Sequence, residues 1–294
     1  MFNFHRFRLY SFVSLVVLIT GCSNTVPEEF NIDSQISVLV MARDVSVKTK
    51  RVPLIVYRGN MQRLDNQLNQ LSFEYKHVDD NQFSSLSNTI WRPWPVKGGA
   101  YVTNPTFNRP GLWEFKINLN GINQNLSGST FMEIKNRTST PEIGDDAPLA
   151  KTETANNIQE VTKISSAQDP DLDFYSISLD EAILNGKPTV VVFSTPAFCV
   201  TQTCGPQLKT LIELKKQYKN QIDFIHIEIW QNIREMLTTG DRSISQLSPA
   251  VEAWGLVTEP WTFFIDKNGK ITAKFEQYVS KAELQESVLQ FVDK

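Results

Sequence analysis

The sequence predicts an all-β region followed by an α/β domain, and three observations carry that division. Between about Phe30 and Lys135, short apolar stretches alternate with polar residues and are separated by turn residues. Between Asn136 and Asp173 this patterning gives way to Thr, Pro, Asp, Asn and Ser. From Phe174 onward, apolar runs and helix-period stretches alternate and end in a hairpin and a helix, the element order of an α/β sheet.

The β region contains strand candidates at Ile36–Met41, Val52–Tyr57, Gln70–Lys76, Ala100–Thr103, Leu112–Asn118 and Thr130–Ile134. The fifth is the clearest. Trp113, Phe115 and Ile117 alternate with Glu114, Lys116 and Asn118, as a strand with one buried face requires, and Pro110-Gly111 marks a turn just before it. Several short strands with turns between them predict a β-sandwich. Trp91, Trp94 and Trp113 are expected in its core or at its rim.

In the second half, Asp180–Gly186 reads as a short helix stopped by glycine, and Pro188–Ser194 as a buried strand. Pro206–Lys219 is an amphipathic helix with Leu208, Leu211, Ile212 and Leu214 on one face and lysines opposite. A strand at Ile222–Trp230 and a helix at Pro249–Trp254 follow. Trp261–Asp266 and Ile271–Glu276 form a hairpin around a Lys267–Lys270 turn, and Lys281–Val292 is the closing helix.

The N-terminus reads as an export signal. Arg6 and Arg8 precede the apolar stretch Leu9–Ile19, which is short for a bilayer span. Ile19-Thr20-Gly21-Cys22 then resembles the bacterial lipobox, which implies that Cys22 is lipidated and becomes the mature N-terminus. About 270 residues follow, enough for two domains. A net charge of -3 provides no basic footprint for nucleic acid.

With Cys22 assigned to lipid, Cys199 and Cys204 remain as a pair, on the turn from the buried strand into the amphipathic helix. A dithiol there can close into a disulfide, and a helix N-terminus can stabilise one thiolate. This order of elements, from about Phe174 to Lys294, resembles the thioredoxin fold. Thr258–Asp266 strengthens the resemblance, because such proteins carry a cis-proline before the hairpin strand and facing the dithiol. Pro260 occupies that place, with Glu259 and Trp261 as accessory candidates. The resemblance implies thiol–disulfide exchange with no cofactor beyond the redox-active disulfide and no metal.

The cysteine spacing departs from the family. Four residues, Val200 to Thr203, separate the cysteines where most relatives have two, and Gly205-Pro206 comes after the pair. Two alignments result. Family spacing makes Cys199 the attacker and Cys204 the resolving thiol. The alternative places Cys204 at the helix start, nearest the positive end of its dipole, with Cys199 as an upstream partner. A structural disulfide in a non-catalytic binding or assembly lipoprotein is the competing reading. A third is a copper chaperone resembling the Sco type, with Cys199, Cys204 and His226 as ligands. Glu228 shares a strand face with His226 and is either a proton acceptor for a buried thiol or a solvated carboxylate. A peroxiredoxin motif would need proline where Ala197 stands.

The β region also resembles the immunoglobulin-like sandwiches of exported bacterial proteins, through Gly99–Thr103, Phe107 and Arg109–Phe115. The expected organisation is a lipoprotein signal peptide over 1–21, a tether over 22–29 and the sandwich over 30–137. A linker over 138–171 and a thioredoxin-like domain over 172–294 complete it. Gly144-Asp145-Asp146-Ala147-Pro148 in the linker resembles the lead-in to redoxin domains. The expected whole is a lipid-anchored oxidoreductase facing the periplasm or cell exterior, with extracytoplasmic protein thiols or disulfides as partners and no nucleic acid.

Overall fold

The structure, a computed structural model, describes residues 35–59, 62–64, 66–95, 97–120 and 125–292. The export segment, Cys22 and the tether lie outside the described residues.

Strands β1 (Ile36–Val40), β2 (Val52–Arg58), β3 (Gln62–Arg63), β4 (Leu71–His77), β5 (Ser84–Ser85), β6 (Ile90–Pro93), β7 (Gly99–Thr103), β8 (Gly111–Asn120) and β9 (Asn125–Ile134) build two antiparallel sheets. One runs β1-β2-β7-β6 with β3 on β2, and the other runs β5-β4-β8-β9. They enclose one core, in which Val38, Leu54, Val56 and Tyr101 of the first sheet meet Phe73, Phe115 and Ile117 of the second. On β8, Trp113, Phe115 and Ile117 are buried while the residues between them are half-buried, as the period of two requires. Trp94 is buried as well, and Trp91 packs against the core. At β9, a Cβ on Gly128 would lie 2.2 Å from the Ile36 carbonyl oxygen, so glycine lets the two sheets close on each other.

Beyond them come α1 (Ile158–Ile164), a 3-10 turn at Leu172–Tyr175, α2 (Leu179–Leu184), β10 (Thr189–Ser194), α3 (Cys204–Tyr218) and β11 (Asp223–Glu228). Then follow α4 (Ile233–Thr239), α5 (Pro249–Ala253), β12 (Trp261–Ile265), β13 (Ile271–Glu276) and α6 (Lys281–Val292). The sheet order is β11-β10-β12-β13, with β10 parallel to β11 and antiparallel to β12. All six residues of β10 are buried. Val191 and Phe193 pack with Trp254 and Ala182 on one side, and Val190 and Val192 pack with Leu208, Leu211 and Val288 on the other. A strand covered on both faces reads as an unbroken apolar run.

The reading of helix α3 is corrected on two counts. Helix α3 begins at Cys204, two residues before Pro206. Not all its lysines face water: Lys215 is buried and pairs with Asp171 and Asp173. Several residues between 138 and 171 are packed. Thr138, Thr140, Glu142, Ala147 and Ala150 are buried, and the Gly144 N–H donates to the Ile271 carbonyl at 2.8 Å.

The N-terminal sheets meet the edge strand β13. The Glu276 carboxylate accepts the N–H groups of Arg43 at 2.8 and 3.0 Å and of Asp44 at 3.1 Å. Lys274 donates to the hydroxyls of Thr138 at 2.7 Å and Thr140 at 3.0 Å. Among the described residues, no helix is long and apolar enough to cross a membrane.

Candidate functional site

Strand β10 ends at Ser194, and the chain turns through Thr195–Thr203 into α3. Cys199 and Cys204 form a disulfide across this turn, with their Cα atoms 6.0 Å apart. The four intervening residues fit because Gln202 takes a left-handed conformation, with φ at 58°. This folds the loop back so that the helix starts at the second cysteine.

The two sulfurs are not equivalent. Cys204 is fully buried, whereas Cys199 is partly exposed. The Cys204 backbone N–H, at the first turn of α3, points at the Cys199 Sγ at 3.3 Å. The Thr201 hydroxyl lies 3.4 Å from the same sulfur. The positive end of the α3 dipole therefore acts on Cys199, not on the thiol of the residue that starts the helix.

The Glu259–Pro260 peptide bond is cis, and Pro260 leads directly into β12. Glu259 reaches the pair: one of its carboxylate oxygens and both sulfurs all lie within 4.8 Å of one another. Burial pushes its carboxyl up, against a hydrogen bond from the Val200 N–H. Trp261 sits in the core, stacked on Phe263, and its indole N–H donates to Thr258 Oγ1 at 3.0 Å. It supports the strand after the proline.

Glu228 is buried at the end of β11 and is not a solvated strand carboxylate. Burial pushes its carboxyl up to about 7, against hydrogen bonds from Ser166, whose N–H and hydroxyl donate at 2.9 and 2.7 Å. Ser166 Oγ in turn accepts the Ala197 N–H at 3.1 Å, so Glu228 connects with the cysteine loop through one serine. Ser166 and Thr201 carried no sequence signal of their own. Each is an ordinary hydroxyl until the fold gives it a partner.

The copper ligand set is not brought together. His226 is buried, with Nε2 2.9 Å from Ser194 Oγ and Nδ1 2.7 Å from Tyr175 Oη. Burial holds its imidazole down to about 4, hence neutral. With both nitrogens engaged in the protein, it offers no lone pair to an ion beside the cysteines. Among the described residues, the group of Cys, His, Asp and Glu able to hold a metal is Cys199, Cys204 and Glu259.

A cavity of about 350 Å³ is lined by Pro196 and Ala197 of the cysteine loop and by Pro206, Leu208 and Ile212 of α3, among others. It follows the first turns of α3 on the side of Ser166.

Residues 175–292 match the thioredoxin-like domain family. Among solved structures, the chain is similar to a thiol:disulfide interchange protein of the thioredoxin family from Chlorobium tepidum TLS, at 18% identity and a TM-score of 0.34 over 51% of this chain and 98% of that one. It is similar to a thio-disulfide isomerase from Thermus thermophilus at 17% identity and a TM-score of 0.31, over 52% and 98%. A third likeness is to the exposed lipoprotein thioredoxin Etrx1 from Streptococcus pneumoniae, at 17% identity and a TM-score of 0.30, over 39% and 90%. No curated protein sequence matches the chain. A four-stranded sheet with a disulfide at the end of its buried strand, a cis-proline beside it and the family match together make the C-terminal part of this chain a thioredoxin-like domain.

Proposed function

We propose that this chain is a membrane-anchored thiol–disulfide oxidoreductase that acts outside the cytoplasm through Cys199 and Cys204. The observation that carries this reading is the asymmetry of the pair. Cys199 is open to a partner and faces the helix N-terminus, while Cys204 is enclosed behind it. A structural disulfide needs neither feature.

In the reduced chain, the Cys199 thiolate attacks one sulfur of a partner disulfide. A Cys199–partner bond forms and the second partner sulfur leaves as a thiolate. Cys204 then gives up its proton and attacks the Cys199 sulfur, releasing the first partner sulfur. The partner disulfide has gained two electrons and the cysteine pair has lost two. The same steps in reverse oxidise a partner dithiol. In this reading Glu228, which meets the cysteine loop through Ser166 and whose carboxyl changes charge close to neutral pH, is the acid–base partner for the Cys204 proton.

The N-terminal sheets serve in this proposal as an immunoglobulin-like recognition module. Cys22 carries the lipid, so Cys22→Ser releases the protein from the membrane fraction. The test of the exchange reading is alkylation of the reduced protein near neutral pH. Cys199 is expected to react much faster than Cys204, and Cys204→Ser to trap a mixed disulfide through Cys199. Two equally slow thiols, together with a pair whose potential lies below roughly -300 mV, would place the disulfide among structural ones.

A further inference from the structure

We propose that the reduced pair, with the Glu259 carboxylate, forms a binding site for Zn²⁺. The site is built from three ligand atoms of the right kind and spacing. Both sulfurs and one Glu259 oxygen lie within 4.8 Å of one another even with the disulfide closed. Two thiolates on one tetrahedral zinc stand about 3.8 Å apart, given zinc–sulfur bonds of about 2.3 Å. Opening the disulfide therefore needs only a small separation of the sulfurs to reach that geometry, within the reach the carboxylate already has.

The surroundings favour an ion over a free dithiol. The Cys204 N–H directed at Cys199 Sγ steadies a thiolate ligand, as outer hydrogen bonds do at metal sites. The Val200 N–H is directed at the Glu259 carboxylate and favours its charged form. Cys199 and Glu259 are both partly exposed, so an ion can enter and a fourth position stays open to water. Two thiolates and one carboxylate suit zinc. Cu⁺ would be satisfied by the thiolates alone and would not need Glu259.

Binding is gated by redox state. A dithiol reductant, itself oxidised to a disulfide, supplies two electrons and two protons to open Cys199–Cys204. Zn²⁺ then displaces two protons as both thiols coordinate. The proposal requires only that the disulfide can be reduced, not that the chain exchanges disulfides with proteins. Where the exchange reading also holds, a bound ion occupies both sulfurs and stops exchange until it is removed.

The test uses the full chain, reduced with a dithiol, desalted without oxygen and titrated with Zn²⁺ against a coloured chelator, or with Co²⁺ as a spectroscopic probe. The reduced protein is expected to take up one ion per chain and to show thiolate-to-cobalt absorption, and the oxidised protein to do neither. Glu259→Gln is expected to weaken binding by about tenfold or more, and Cys204→Ser to abolish tight binding. The idea is overturned if reduced protein with two countable free thiols takes up no ion. It is equally overturned if folded Glu259→Gln binds Zn²⁺ as tightly as the unaltered chain. Should that variant not fold, the cobalt spectrum of the unaltered protein decides: absorption by two thiolates with a tetrahedral ligand field supports the site, and its absence removes it. Protein disulfide exchange, measured separately in chelator, fails or succeeds independently of these results.

Discussion

Two clusters of buried polar side chains serve opposite purposes in this molecule. At the junction of the N-terminal sheets with β13, the charge of Asp44 is kept and answered. Burial raises its carboxyl, but hydrogen bonds from Thr140 and Ser139, together with Lys135, outweigh it and hold the group below its ordinary range. At the end of β10 and β11, His226 and Glu228 lie two residues apart on one strand and both are driven toward their neutral forms, the base downward and the acid upward. Both acids accept two backbone N–H groups and a hydroxyl, and Asp44 stays charged because the Lys135 ammonium joins them. The first arrangement fastens elements together. The second leaves a carboxyl that changes charge near neutral pH, joined to the cysteine loop through Ser166.

Removing the acid from the first cluster is expected to have the largest effect. Asp44→Ala strands the N–H groups of Ser139 and Thr140, the Thr140 hydroxyl and the Lys135 ammonium, which Asp44 accepts at 2.7 to 3.0 Å. A loss of roughly 3 to 5 kcal/mol is expected in urea unfolding. A loss under about 1 kcal/mol would mean that the cluster is not holding the junction.

The second cluster sharpens the contrast through pH. The folded Glu228 carboxyl keeps its proton where the unfolded one, near 4.5, has lost it. Its stabilising effect is therefore present at low pH and lost as pH rises to about 7. His226 works the other way, since its unfolded imidazole takes a proton near 6.5 and its folded one only near 4, so stability is lost as pH falls through that interval. Each shift corresponds to roughly 3 kcal/mol, and the two slopes oppose each other where the intervals overlap. Glu228→Gln should expose the histidine slope, giving a variant whose unfolding free energy climbs as pH rises from about 4 toward 6.5. A variant that parallels the unaltered chain at every pH would show that Glu228 does not titrate with folding.

The smallest expected effect lies in the cysteine loop. Gln202→Val puts a β-branched residue at φ 58° and should cost about 1 kcal/mol more than Gln202→Gly, read as a lower unfolding midpoint in urea. Equal midpoints would relieve this position of its part in setting the four-residue spacing.

The thioredoxin-like part was legible because its signals are local. Thr189–Phe193 is apolar without interruption, Leu208, Leu211 and Leu214 repeat at helical spacing, and the hairpin carries its own Asn268-Gly269 turn. The alternation in β8 was equally plain. Two-residue strands β3 and β5 are too short to show a period, and β6 contains Pro93, which argues against a strand unless it lies at a sheet edge, as β6 does. Helix α4 was missed although Gly240 closes it in a left-handed conformation. The polar residues over 138–171 suggested a linker because their partners are remote: Thr138 meets Lys274, and Glu142 accepts from Ser46 Oγ at 2.8 Å. At the site, the cysteines and Pro260 could be named from motif order. Which sulfur faces the helix could not, because that depends on the turn at Gln202 and on α3 starting at Cys204.

The bond between Glu276 and the backbone of Arg43 and Asp44 has a consequence for dissecting the protein. Glu276 Oε1 also accepts the Thr258 hydroxyl at 2.6 Å, one residue before the cis bond begins, and the Arg51 guanidinium donates to the Glu276 and Tyr278 carbonyls at 3.1 and 2.9 Å. Cutting the chain between the sheets and the thioredoxin-like part would leave a buried carboxylate and two carbonyls to find new partners at the end of β13, the strand paired with the one that follows the proline. The two halves are thus expected to melt in a single transition, and a fragment starting after β9 to be a poor stand-in for the domain as it exists in the whole chain.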